Sequence, residues 1–147
     1  MRIGIGTDSP ASAPSFDFFE ELRSVVLTAR VRAGRPNVLA TSEALELATL
    51  GSARALGLDD EVGSLAPGKR ADLAVVSLSG SPYLPWEDPA DAVVLGGSPE
   101  RIELTGVDGE ERYRKGGFEW HELRSGAAGA RGRLLGNVPE PTITQKT

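Results

Sequence analysis

The sequence has little of the chemistry that metal and redox sites usually need. Its 147 residues include no cysteine and one histidine, His121. The absence of cysteine excludes a disulfide framework. A single histidine cannot provide the three or four nitrogen and sulfur ligands of a typical zinc site. The chain alone is therefore not expected to form such a site, and His121, beside Trp120 near the C-terminal end, is expected to be packed or solvent-facing.

Long apolar runs and an excess of positive charge are also missing. No run approaches the ~18 consecutive apolar residues of a membrane span, and the first residues lack the apolar stretch of a secretory signal. We therefore predict a cytoplasmic protein with no membrane partner. The 21 acidic residues outnumber the 16 basic ones. Nucleic acid is not an expected partner, because binding to its phosphates needs clustered Lys and Arg.

What is present is enough for one soluble domain, since 39% of the residues are apolar. An apolar, glycine-containing run at residues 2–6 predicts a buried strand that enters a loop at Thr7. Ser15 is predicted to cap a helix over residues 16–33, because its hydroxyl can accept from amides of the first turn. The apolar face of this helix is predicted to comprise Phe18, Leu22, Val25 and Ala29, with Phe19 and Val26 beside it.

A second helix is predicted to begin at Thr41 or Ser42 and to end at Gly57, with a break near residues 49–51. Beyond Leu58, glycines and prolines separate short segments, and residues 73–78 are apolar and β-branched. This texture predicts strands rather than helices.

The Asp108-Gly109 pair predicts a hairpin between strands at 102–107 and 110–114, because Asp and Gly tolerate the positive φ angles of a two-residue turn. Residues 118–135 have helical composition interrupted by glycines. The last ten residues are polar and contain two prolines. We expect a loosely attached helix followed by a disordered tail.

Asp8 is the first candidate functional residue. It comes just after the predicted opening strand, and parallel α/β barrels present catalytic groups at the carboxyl ends of their strands. A Thr-Asp-Ser-Pro sequence is also a common Asx turn, and on spacing alone the turn is the commoner explanation.

Further segments change that balance because they occur in one order along the chain. They are Gly6-Thr7-Asp8-Ser9, Glu20-Glu21-Leu22-Arg23, residues 44–49 with 53–57, and residues 62–73. Together they resemble the C-terminal part of the metal-dependent amidohydrolase superfamily. The likeness is to its cytosine deaminase, chlorohydrolase and adenosine-analogue deaminase branch, and it covers about residues 2–117.

This resemblance implies an α/β fold whose N-terminal portion is absent from the chain. Residues 1–57 would form the last strand and following helices of a (β/α)8 TIM-like barrel, and residues 58–117 part of a small composite β-sandwich. Residues 118–147 would form a helical and disordered tail. A complete barrel takes about 250 residues. We therefore expect a C-terminal fragment that is inactive alone.

The resemblance also implies a role for Asp8. It matches the aspartate that follows the eighth strand, which approaches a divalent metal, Zn or Fe, and acts as general base toward the metal-bound water. The remaining metal ligands would be absent from this chain. Thr7 and Ser9 would orient the carboxylate or be ordinary loop hydroxyls. Ser12 would lie in the loop at the substrate mouth, where many family members carry asparagine near Ala13-Pro14.

The function implied is hydrolysis of a carbon–nitrogen bond other than a peptide bond, through deamination of a small aminated heterocycle. Purines, pyrimidines and triazines remain open, and deamination is favoured over dechlorination because it is the commoner chemistry in the branch. An alternative is a non-catalytic module that folds alone or complements a separately encoded barrel fragment. The partners expected are a small-molecule substrate and either a second copy or such an N-terminal fragment.

Overall fold

The computed structural model describes residues 2–9, 11–13, 15–82, 84–117 and 120–136. The chain divides into two compact units, Met1–Lys115 and Gly116–Thr147. The second unit contains one described helix, α5 (Trp120–Leu135), which carries His121. The predicted disordered tail falls on residues 137–147, which lie outside the described part of the chain. No helix in the described ranges is long and apolar enough to cross a membrane.

Helix α1 (Phe18–Ala33) begins at a different cap from the one the sequence predicted. The carboxylate of Asp17 accepts from the backbone N–H groups of Phe19, at 2.9 Å, and Glu20, at 3.3 Å. Ser15 instead donates to the Glu20 carboxylate at 3.3 Å. The predicted Ser15 cap is wrong, because Asp17 lies next to the first turn and its negative charge complements the positive end of the helix.

The buried face of α1 is rotated slightly from the predicted one. Phe19, Leu22 and Val26 are buried, whereas Phe18 is 36% exposed. Leu22 belongs to both the predicted and the observed face. The packing of α1 against the other helices determines which face is buried. Leu22 and Val26 form the core of the first unit together with Ala44 and Val94, which come from the next helices.

The second predicted helix is one continuous helical run with a change of geometry inside it. It comprises α2 (Thr41–Glu46), a π-helical turn (Leu47–Gly51) and α3 (Ser52–Leu56). At the predicted break the Ser52 N–H bonds to the carbonyl of Leu47, five residues back, so the chain widens by one residue without leaving the helix. The run ends at Gly57, φ 73°, as predicted.

Helix α4 (Pro89–Gly96) lies in the region predicted to contain only strands, so that prediction is wrong here. Asp88 caps it by accepting from the Ala90 N–H at 2.8 Å. An Asp followed by proline in the first helical position is a helix-start signal that the sequence contains. The helix buries Ala90, Ala92 and Val94.

Polar contacts attach α4 to the other helices. The Arg23 guanidinium on α1 donates to the carbonyl of Leu95 at 3.0 Å, close to the end of α4. The hydroxyl of Thr41, which is 3% exposed, donates to the carboxylate of Asp91 at 2.7 Å. A cation at the C-terminal end of a helix is favourable, so Arg23 serves the packing of these helices.

The sheet is antiparallel with the order β1 (Leu73–Val76), β2 (Ile102–Val107), β3 (Glu110–Arg114). A short 3₁₀ turn (Pro99–Arg101) leads into β2. Asp108, φ 54°, and Gly109, φ 78°, form the predicted turn, so the hairpin is confirmed. The α/β class is therefore correct, while the assignment of these elements to a barrel end and a sandwich stays a prediction.

Candidate active site

The opening segment, residues 2–8, contacts the helical run at Ser52 but is not a buried strand. No described residue pairs with it in a β-ladder, and Ile3 is 46% exposed. The prediction of a buried strand is wrong for this chain, because a strand that is apolar on both faces is buried only between neighbouring strands. Ile5 is the member of the segment that packs against the core of the first unit.

Asp8 is the last residue of this segment, an exposed side chain in a left-handed backbone conformation, φ 59°. Its Oδ1 accepts from the Ser9 N–H at 2.7 Å. Asp is one of the few residues that tolerate this region, because its short polar side chain can bond locally. Asp108, in the hairpin turn, has nearly the same φ of 54°, so this conformation is the same for a turn and for a site.

The predicted neighbours of Asp8 contact it unequally. The Thr7 hydroxyl donates to the Asp8 carbonyl at 3.3 Å. Ser9 reaches the carboxylate through its backbone, whereas its hydroxyl accepts from the Ala11 N–H at 3.3 Å. Ser12 is exposed in the following turn, where its N–H donates to the Ser9 carbonyl at 2.9 Å. The structure thus brings Thr7, Asp8 and Ser9 together, and the roles of all these residues stay predictions.

The described residues do not fit a complete divalent metal site. Among them, no group of three or more His, Cys, Asp or Glu side chains could hold a metal ion. Asp8 is one carboxylate donor, and catalytic zinc sites use three protein ligands. His121 lies on α5, in the other compact unit. What Asp8 can do with its own atoms is accept a proton and return it.

A cavity of about 380 Å³ lies beside the start of the opening segment, not beside Asp8. Its lining includes Arg2 and Ile3 from the segment and Leu47 and Arg54 from the helical run. Asp8 is not among the described residues that line it. The cavity therefore does not belong to the candidate site.

The sequence profile of the amidohydrolase family matches residues 1–112. The chain belongs to the amidohydrolase family. The resemblance found from the sequence motifs is thereby confirmed, and the chain is part of a family of hydrolytic enzymes.

Individual relatives agree with the family match. The chain is 37% identical over 109 residues to a 5-methylthioadenosine/S-adenosylhomocysteine deaminase of Desulforudis audaxviator, covering 74% of this chain and 25% of the relative. A solved adenosine deaminase from Xanthomonas campestris with bound zinc matches with a TM-score of 0.84 and 29% identity, covering 92% of this chain and 32% of that one. An atrazine chlorohydrolase from Arthrobacter aurescens, complexed with zinc, matches with a TM-score of 0.71 and 28% identity, covering 88% and 29%.

These matches also define how much of a relative the chain represents. It spans about a quarter of the length of the curated relatives it matches and about a third of the solved structures. Both solved neighbours described above contain zinc, which supports a divalent metal in the family to which the chain belongs.

Proposed function

We propose that this chain contributes the proton-transferring carboxylate, Asp8, to an amidohydrolase that deaminates an aminated heterocycle. The proposal rests on the position of Asp8 in this chain, which belongs to the family. Asp8 is an exposed carboxylate at the end of the opening segment, which precedes the first helix. The bonds from Thr7 and from the Ser9 N–H support it, because they fix the backbone and one carboxylate oxygen.

The chemistry of deamination explains why a carboxylate is needed. When water replaces an amino group on a ring carbon, the attacking oxygen must lose a proton and the departing nitrogen must gain one. A carboxylate within hydrogen-bond reach can accept the first proton and deliver the second. The histidine ligands of the family's divalent metal, Zn or Fe, would come from outside the described residues, so the contribution of this chain is the proton carrier.

The names of the relatives that are deaminases support a substrate class. They are named as deaminases of 5-methylthioadenosine, S-adenosylhomocysteine and adenosine. These compounds share the amino group of adenine, and we propose an adenine nucleoside as the substrate class. The curated relatives at 37% and 32% identity are named as deaminases, whereas the chlorohydrolase is 28% identical, which supports deamination over dechlorination.

A fusion enzyme tests the proposal. The chain would replace the corresponding C-terminal quarter of the Desulforudis audaxviator deaminase, and ammonia release from adenosine and 5-methylthioadenosine would be measured. Asp8→Asn keeps the shape of the side chain but cannot carry the proton, so kcat should fall by about 10²–10⁴-fold. Asp60→Asn removes an exposed carboxylate from another loop and should leave kcat unchanged.

Full activity of the Asp8→Asn fusion would remove Asp8 from the reaction. A soluble, metal-loaded wild-type fusion without deaminase activity would count against the function itself. An in-frame His-x-His sequence in the genomic region upstream would support, independently of both results, the proposal that the histidine ligands come from outside the described residues.

A further inference from the structure

The contact between the opening segment and the helical run is concentrated on one side chain, Ser52. Its hydroxyl accepts from the Ile5 N–H at 3.1 Å and lies 3.4 Å from the Ile5 carbonyl. Its own proton can be donated to the Leu47 carbonyl at 3.0 Å. Both of these bonds to Ile5 join the opening segment to the helical run.

The backbones at this contact approach so closely that only small residues fit. A Cβ added at Gly4 would lie 2.5 Å from the Ser52 hydroxyl oxygen and 2.7 Å from its Cα. A Cβ at Gly51 would lie 3.0 Å from the Ile3 carbonyl oxygen. Real Cβ atoms do not come as close as those at Gly4 would, and the contact at Gly51 would be tighter than most, so the segment packs closely on the helix.

The π turn allows Ser52 to make this contact. Ser52 is the residue at which the wider turn closes, and its side chain faces the opening segment. Thr49, on the same turn, has a hydroxyl of the same kind that donates back to the Leu45 carbonyl at 2.7 Å and so stays within the helix. The Ser52 hydroxyl bonds to the opening segment, whereas the Thr49 hydroxyl bonds only within the helix. Thr49 is therefore a matched control.

We propose that Ser52 is a positioning residue for Asp8. It holds the backbone at Ile5, three residues before Asp8, and thereby sets where the opening segment places that carboxylate. This inference rests on the proposed function for its catalytic consequence. A displacement of about 1 Å at a reacting group can lower the rate by about 10²-fold. Ser52 can therefore affect the rate through the position of Asp8 without contacting the substrate.

The first test uses the full 147-residue chain and needs no activity. NMR hydrogen exchange of the Ile5 amide and the three-bond coupling that reports the Asp8 φ angle would be compared in wild type, Ser52→Ala and Thr49→Val. Ser52→Ala should accelerate Ile5 exchange by about 2- to 13-fold, the range that the loss of one net hydrogen bond gives, and should average the Asp8 coupling. Thr49→Val should change neither. Unchanged exchange and coupling in Ser52→Ala would overturn the inference.

The second test uses the fusion enzyme described above. Ser52→Ala should lower kcat by about 10- to 100-fold with KM within about twofold, because ground-state binding does not pass through Asp8. Thr49→Val should keep the wild-type kcat. If the Asp8→Asn fusion is inactive while Ser52→Ala keeps full kcat, the positioning role is refuted and the function stands. If the wild-type fusion is inactive, the function fails and the exchange measurement alone decides whether Ser52 holds the segment.

Discussion

Gly63 and Gly68 form a natural pair for separating backbone strain from packing. Their φ angles are nearly equal, 86° and 88°. A Cβ at Gly63 would lie 2.7 Å from the Cβ of Ala53 and 3.0 Å from the Cα of Leu50, whereas a Cβ at Gly68 would meet nothing within 4 Å. Alanine at either position therefore carries the same conformational cost, and only Gly63→Ala adds a collision with the helical run.

The magnitudes can be worked from these contacts. The left-handed region costs an alanine about 1–2 kcal/mol, and the reduced entropy of the unfolded chain returns about 0.4–1 kcal/mol. Gly68→Ala should therefore lower the free energy of unfolding by about 1 kcal/mol. Overpacking adds about 1–3 kcal/mol. Gly63→Ala should thus cost about 2–4 kcal/mol.

Urea unfolding of the two variants, followed by circular dichroism with the m-value checked for constancy, measures the difference. Adding Ala53→Gly to Gly63→Ala removes the nearest atom and should recover part of the loss specific to Gly63. If Gly63→Ala is no more destabilising than Gly68→Ala, the close approach of this loop to the helix does not exist in solution. That result would also weaken the argument for the neighbouring contact at Gly4, which has the same form.

Two smaller expectations concern caps and charges. Asp17→Ala should lower the free energy of unfolding by about 0.5–2 kcal/mol. Ser15→Ala should change it little, because the Ser15 hydroxyl does not cap α1. Equal losses for the two variants in urea unfolding would show that Ser15 is a cap. Arg114 donates hydrogen bonds to the Glu111 carboxylate, one of them at 2.9 Å, and these lower the pKa of Glu111. The pair therefore stabilises the fold at neutral pH, and this stabilisation is lost as the pH falls through the lowered pKa. An NMR titration of Glu111 that is unchanged by Arg114→Gln would contradict this cause.

Local turn chemistry was the most predictable part of the fold. Asp108-Gly109 specifies a two-residue turn, and the strands on either side pair as the sequence indicates. The turn at Pro67-Gly68 is also determined locally: Gly68 has a positive φ, and the Lys69 N–H bonds back to the Ala66 carbonyl at 3.2 Å. In both cases the residues that determine the geometry are adjacent in the sequence.

Features that depend on distant residues were predicted less well. Helix α4 is short, and the prolines and glycines around it resemble a strand region even though Asp88-Pro89 begins a helix. The buried face of α1 depends on which neighbours it packs against, and those neighbours are far along the chain. Asp8 was found through family motifs, because one carboxylate after a short apolar run has the same local pattern whether it is a turn or a site.

The π turn also determines where the length of its helix can change. A turn closed by an i→i+5 bond holds one residue more than an α-helical turn, so deleting one residue from Leu47–Gly51 would leave an ordinary α-helix with the residues after it in nearly the same phase. The same deletion in α2 would rotate everything after it by about 100°, and Ala53, which contacts Gly63, and Ser52, which contacts the opening segment, would both leave their partners. A one-residue deletion should therefore be tolerated in the π turn and destabilising in α2.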